Sequence, residues 1–460
     1  MEWLKYILEF LKQAWRWFIN VPGLSELAVA FFTWLAGRLW RKFKLWRHHK
    51  WLEKINAATA TDYSDRIVTF DTVSPCYKRE MAKMKLLDKH FIFEIPEKKR
   101  AELASIKSLD GEQKFVIHEP AKLDDDDHKL YDFLTKYYPK RFPDKASIDI
   151  FLEEKICSTA DYFINRLNQS QLAFNNKQIG VYKFEVDRKG KDQGKGLEIP
   201  YMDMWLYETD YFTAQVMVHV YQYLRQLDFD YAKEDKHYIS PFKNLKDYVK
   251  LSEEMPHFMS SLGVGGYIIY DKKDGLEYWT VSRSENVRNG SEKGIELRSY
   301  SFDETMDLMD RDAEDIKGRS VIDLYKGATR AIQEELGLFD KNDTRVEGHL
   351  GDFNFTGLIL IRTQEKDPSK SRFEMQLLGY AFLHFSTKFT YKDLILKKRK
   401  AQDSAFEAVH VYENKLEEEL ISDGVAENGI PYTHTPESVY YAELLRNIED
   451  MKEIKPYYDL

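Results

Sequence analysis

Cysteine is nearly absent: the 460 residues carry two, Cys76 and Cys157. That excludes a disulfide framework and a Cys-rich metal site, and it fits a reduced, cytosolic setting for the bulk of the chain. Several signatures are missing as well. No GxxxxGKS/T run is present, which removes a P-loop, and without GxSxG or a recognisable cysteine signature a nucleophilic triad finds no support. No basic leader with a small-residue cleavage site is evident, so a secretory signal is not expected. Neither an internal repeat nor a long low-complexity tract is visible. A net charge of −9 argues against a general nucleic-acid binder, and no duplex nucleic acid is expected as a partner. What remains is a chain with 43% hydrophobic and 14% aromatic residues, able to bury real cores and long enough for two or three domains.

The charge is unevenly spread. Residues 1–50 hold nine Lys/Arg and three Glu, a net +6, which leaves −15 for the remainder. Seven of the nine tryptophans lie in the first 51 residues: Trp3, Trp15, Trp17, Trp34, Trp40, Trp46 and Trp51. Tryptophan concentrates at membrane interfaces, where its ring is apolar and its N–H stays wet. From Trp3 to Ile19 the polar residues Lys5, Glu9, Lys12, Gln13 and Arg16 form one stripe on an otherwise apolar helix. After Asn20-Val21-Pro22-Gly23 a second apolar stretch runs from Leu24 to Leu39, and the basic run Arg38 to Lys50 follows.

Three arrangements fit this N-terminus. A span from Trp17 to Gly37 has the ~20 residues a bilayer needs, at the cost of burying Glu26. An amphipathic hairpin in the interface avoids that cost and sets its basic tail against anionic lipid. A soluble helical pair is the third. The expectation is membrane association through residues 1–50; a spanning helix would leave the body in the cytoplasm, on the basic side.

Between residues 60 and 255 no motif carries chemistry. Phe91–Ile95 and Phe115–Ile117 read as short strands, and Ile179–Asp187 alternates like a half-buried one. The Gly- and Lys-rich run Arg188–Gly196 reads as a mobile hairpin loop rather than a phosphate cradle. Thr209 is the expected N-cap of a helix reaching Leu224, with His219 on its apolar face as a satisfied core histidine. Asp124–Asp127 with His128 reads as a solvated acidic loop in preference to a metal site. These residues, 51–254, are taken as an α+β domain of unknown role, and residues 255–460 as a separate domain.

In that last segment the pattern sharpens. Gly265–Tyr270 and Leu276–Val281 flank the turn signal Asp271-Lys272-Lys273-Asp274-Gly275 and predict a hairpin. Gly357–Ile361 and Leu377–Phe385 are strand-like. Ser284–Asp315 reads as a long loop, which usually means function or disorder. Ile322, Tyr325, Thr329, Ile332 and Leu336 recur at helical spacing and predict a buried helix face. Gly337 then serves as a left-handed C-cap with Leu338 as its apolar contact. Lys415–Ile421 and Ser438–Ile454 are expected to be closing helices.

The run Arg330-Ala331-Ile332-Gln333-Glu334-Glu335-Leu336-Gly337-Leu338 resembles the second half of the Nudix box. The resemblance implies an α/β/α sandwich, so the expected fold class is α/β with that sandwich at the C-terminus. It also implies that Glu334 and Glu335 hold Mg²⁺ against a nucleotide pyrophosphate, with Arg330 either catalytic or tethering the long loop. Hard oxygen ligands suit that ion. The chain departs from the pattern at Ala331 and Ile322, where the family has glutamates. Asp303, Glu304, Asp307, Asp310, Asp312 and Glu374 are the carboxylates available to substitute. Arg283 and Trp279 are the expected ligand contacts, with Tyr278 and Tyr300 as further stacking surfaces.

The leading expectation is a membrane-associated Nudix-like sensor or effector that binds a phosphate-rich nucleotide in prokaryotic signalling or defence, as a homo-oligomer or alone. The alternatives are an active Mg²⁺-dependent pyrophosphohydrolase of a nucleoside diphosphate derivative, and a membrane scaffold that binds no nucleotide.

Overall fold

The structure, a computed structural model, describes residues 67–71, 83–106, 115–123, 127–169, 174–192, 198–244, 254–272, 275–282, 296–312, 320–336, 353–362, 373–383, 410–418, 420, 423–425 and 431–446. Residues 65–460 form one compact unit. The expected membrane-associated segment 1–50 lies outside the described residues, and no described helix is long and apolar enough to cross a membrane. The fold is mixed α/β.

Two sheets carry it. The larger contains β1 (Ile67–Asp71), β5 (Leu262–Lys272), β6 (Gly275–Ser282), β7 (Glu296–Ser299), β8 (Phe302–Thr305), β11 (Asn354–Arg362), β12 (Phe373–Leu383), β13 (His410–Lys415), β14 (Asp423–Val425) and β15 (Pro431–His434). Its order is β1-β11-β12-β5-β6-β7-β15-β14, with β13 also paired to β6 and β8 to β5. β5 and β12 run parallel, from Leu262 opposite Met375 to Tyr270 opposite Leu383. Residues 262–270 are all buried, which is why β5 reads as a continuous apolar run rather than an alternating one. The expected β5–β6 hairpin forms, and Gly275 takes φ 125°, a left-handed conformation glycine adopts without a Cβ clash.

The smaller sheet, β3-β4-β2-β10-β9, is assembled from distant segments: β2 (Lys83–His90), β3 (Lys177–Asp192), β4 (Glu198–Asp210), β9 (Arg311–Asp312) and β10 (Val321–Asp323). β10 pairs antiparallel with β2, Ile322 opposite Met84, and β1 pairs with β11 in the larger sheet. Strands from either side of residue 255 therefore share both sheets.

Six α-helices are described: α1 (Glu97–Ser105), α2 (Asp127–Tyr137), α3 (Lys145–Asn168), α4 (Tyr211–Glu234), α5 (Leu324–Leu336) and α6 (Pro436–Leu445). α3 opens on a capping box in which Asp144 accepts from the Ser147 amide and Ser147 answers toward the Asp144 backbone. α4 begins one residue later than the sequence suggests. Asp210, not Thr209, caps it by accepting from the Thr213 amide at 2.8 Å, while Thr209 spends its hydroxyl on the Phe91 carbonyl. The helical layer meets the larger sheet through aromatic rings. Phe373 at the start of β12 lies 5.3 Å from Tyr221, 6.2 Å from Phe242 and 6.0 Å from Phe258. Such pairs add about 0.5–1.5 kcal/mol each beyond their buried area.

At the C-terminal end of α4, the buried Asp228 collects four donors. Tyr138 and Tyr238 donate their hydroxyls at 3.0 and 2.7 Å, and Ser240 and Arg225 each approach to 2.5 Å. A carboxylate buried this deeply is tolerable because it is both paired and hydrogen-bonded.

Other expectations are corrected. Phe91–Ile95 and Phe115–Ile117 form no strand; only Ile92 bridges to Ala121. Residues 296–312, expected as loop, hold β7, β8, a short 3₁₀ turn and β9, each too short for periodicity to reveal. Lys415 ends β13 and residues 416–418 turn instead of starting a helix.

Candidate functional site

The sequence resemblance rests on α5, so its surroundings come first. Asp323 starts the helix: its Oδ1 accepts from the Tyr325 amide at 2.9 Å and the Lys326 amide at 3.4 Å. A carboxylate there also suits the positive end of the helix dipole. The helix buries Leu324, Tyr325, Gly327, Ala328, Ala331, Ile332, Glu335 and Leu336. Thr329, expected on that face, is exposed, and the small Gly327 and Ala328 take its place. They let the neighbouring strand come close. A Cβ on Gly327 would stand 2.3 Å from the Met306 sulfur.

Arg330 is the hub. Its Nε donates to Asp310 Oδ1 at 2.9 Å, and Nη2 donates to Asp310 Oδ2 at 2.9 Å and to the Thr305 carbonyl at 2.7 Å. Nη1 donates to Glu334 Oε2 at 2.9 Å. Asp310 is held in turn: its Oδ2 accepts from the Asp307 amide at 2.9 Å, and Asp307 accepts from the Met309 amide at 3.0 Å. The turn Leu308–Asp310 thus caps itself and presents both carboxylate oxygens to the guanidinium. Burial works against the charge on Arg330. Hydrogen bonds to Asp310, and the charges of Asp310, Glu334 and Glu304, outweigh it and hold the group above its ordinary range. Of the two roles considered for Arg330, the geometry matches a tether: it fastens residues 305–310 to the helix.

The two glutamates part company. Successive helical residues point about 100° apart. Glu334 has 48% of its side chain exposed, whereas Glu335 is only 3% exposed, on the buried face. Ala331 and Ile322, where the family pattern has glutamates, are both fully buried. Among the described residues no three Asp, Glu, His or Cys side chains converge as a metal-binding group. Asp303 accepts from the Gln376 amide and Glu304 from the backbone of Thr305, while Asp310 is committed to Arg330.

Trp279 is fully buried in β6, edge-on to Tyr270 at 6.1 Å, so stacking a ligand on it would require opening the core. Tyr278 and Tyr300 belong to a buried aromatic group with Tyr267 and Tyr441, in which the Tyr267 and Tyr441 rings stack at 5.4 Å. Arg283, Gly337 and Leu338 lie outside the described residues, as do Asp124–Asp126 and the side chain of Glu374. His219 is half-buried rather than in the core, with Nδ1 2.7 Å from the Thr159 hydroxyl. Burial, helped by the Lys155 charge, holds its imidazole below the ordinary range.

Asp310 is the residue whose part sequence reasoning missed. It stood among the acidic residues of the long stretch, and nothing there marked it as the partner of an arginine twenty residues on. No family model matches the chain, and no curated protein is similar enough to count as a relative.

Proposed function

We propose that this protein is a membrane-associated, Nudix-like sensor or effector that binds the phosphate-rich part of a nucleotide without depending on hydrolysis. The observation that carries the binding reading is the state of the box-like helix. Its tethering arginine is in place, while the positions that would complete a metal cluster are core residues, Ala331 and Ile322. The aligned Arg330, Glu334, Glu335 and Gly337 support the Nudix-like reading, and a hairpin before the helix with strands after it fits that sandwich. The Trp-rich basic N-terminus supports membrane attachment, with the body on the cytoplasmic side.

The enzyme reading retains one support, since the exposed Glu334 could meet Mg²⁺ together with substrate phosphates. Calorimetric titration of the full chain with a nucleotide panel in Mg²⁺, followed by product analysis, separates the readings. Saturable binding with intact ligand is the expected result. Cleavage that disappears in Glu334→Gln would establish the hydrolase instead, and neither binding nor cleavage across the panel would leave a scaffold.

A further inference from the structure

A second polar cluster lies on the larger sheet, where no sequence motif points. Ser282, the last residue of β6, is the register partner of Arg298 on β7, and Arg298 is the partner of His434 on β15. Partners in adjacent strands share a sheet face with Cβ atoms roughly 4.5–5.5 Å apart. A hydroxyl, a guanidinium and an imidazole therefore stand in one row. All three are buried, at 0%, 6% and 3% exposure.

The arginine is held in an unusual way. Its Cζ lies 3.4 Å from the centroid of the Tyr412 ring and 3.6 Å from that of Tyr432, so two rings flank the guanidinium. Tyr432 also packs edge-on against His434 at 5.4 Å. A guanidinium between rings is fixed in position, and its donors form a rigid planar fork that matches phosphate oxygens. Beside it, the Ser282 hydroxyl is fully buried and has no hydrogen-bond partner among the described residues. Buried hydroxyls are almost always satisfied, so an orphan beside a cation calls for a missing acceptor.

We propose that Ser282, Arg298 and His434, walled by Tyr412 and Tyr432, form the site for a phosphate group of a nucleoside diphosphate, on a different part of the sheet from the box-like helix. This rests on the nucleotide-binding reading above and says where the phosphate sits.

The test uses the full chain with inorganic pyrophosphate and ADP as probes, titrated calorimetrically without Mg²⁺, for the wild type, Ser282→Ala and Arg298→Lys. Ser282→Ala removes an unsatisfied hydroxyl, so a purely structural role predicts an unchanged or higher Tm and unchanged binding. The site predicts the same Tm behaviour with binding weakened about tenfold, as for loss of a hydrogen bond to a charged group. Arg298→Lys, which keeps the charge and loses the fork, should weaken it at least as much. If Ser282→Ala and Arg298→Lys bind like wild type, the proposal falls while the nucleotide reading stands. If the wild type binds neither these probes nor any nucleotide of the panel, both fall. Should Arg298→Lys fail to fold, Ser282→Ala alone decides.

Discussion

Raising the pH should unfold this protein cooperatively, through tyrosines buried without access to water. Tyr138, Tyr207, Tyr267 and Tyr278 are buried, and burial is the leading cause that pushes each phenol above its ordinary range. At Tyr138 the adjacent Asp228 charge adds to the effect. A phenol is neutral when protonated. A raised folded value means that the native state keeps protons the unfolded chain gives up above pH ~10. Their contribution is complete below pH 10 and is lost as the pH climbs. Each such tyrosine removes about 1.4 kcal/mol per pH unit above 10, so the four together remove about 5–6 kcal/mol by pH 11 and about twice that by pH 12. Domains are typically stable by ~5–15 kcal/mol, which places the transition between about pH 11 and 12.

Absorbance at 295 nm, recorded with far-ultraviolet circular dichroism, follows both events. With 29 tyrosines in the chain, ionisation should be biphasic: exposed phenols near pH 10 with the dichroism intact, buried ones only as it collapses. Tyr207→Phe, which gives up a hydrogen bond to the Pro256 carbonyl at 3.0 Å, should lower the Tm at pH 7 yet flatten the alkaline slope by about a quarter of the four-tyrosine effect. A single ionisation step near pH 10 with unchanged dichroism would refute the reasoning, because it would show that these phenols reach water in the folded state.

Two further predictions follow from groups already described. Asp310→Ala leaves Arg330 buried with half its countercharge, which should cost about 3 kcal/mol in urea unfolding and couple to Arg330→Met in a double-mutant cycle; a loss below ~1 kcal/mol would contradict the tether. The folded imidazole of His219 titrates below its unfolded value, so its contribution is present above pH ~6.5 and is lost as the pH falls below it; the Tm of His219→Gln should vary less with pH on that side.

How much of this could be read in advance differs by element. α5 was legible because one stretch of sequence carries its whole period, and the β5–β6 hairpin because its turn residues lie between its strands. The Arg330–Glu334 contact followed from spacing of four. The smaller sheet was hidden for the opposite reason. Its neighbours β2, β4 and β10 come from residues 83–90, 198–210 and 321–323, and no local pattern states which strands pair. Asp310 and Arg298 were hidden likewise, since their partners are set by sheet register and by a turn rather than by sequence distance. At Thr209 two good caps stood side by side, and the choice fell to a distant carbonyl, that of Phe91.

The strand sharing across residue 255 has a practical meaning for anyone cutting this chain. A fragment beginning there would keep β10 and β11 but lose β2 and β1, which pair with them. It would expose two rows of unpaired backbone amides and carbonyls, a template for joining other chains edge to edge. Poor solubility of such a fragment would reflect where the cut fell, and binding studies are better made on a piece that begins before residue 67.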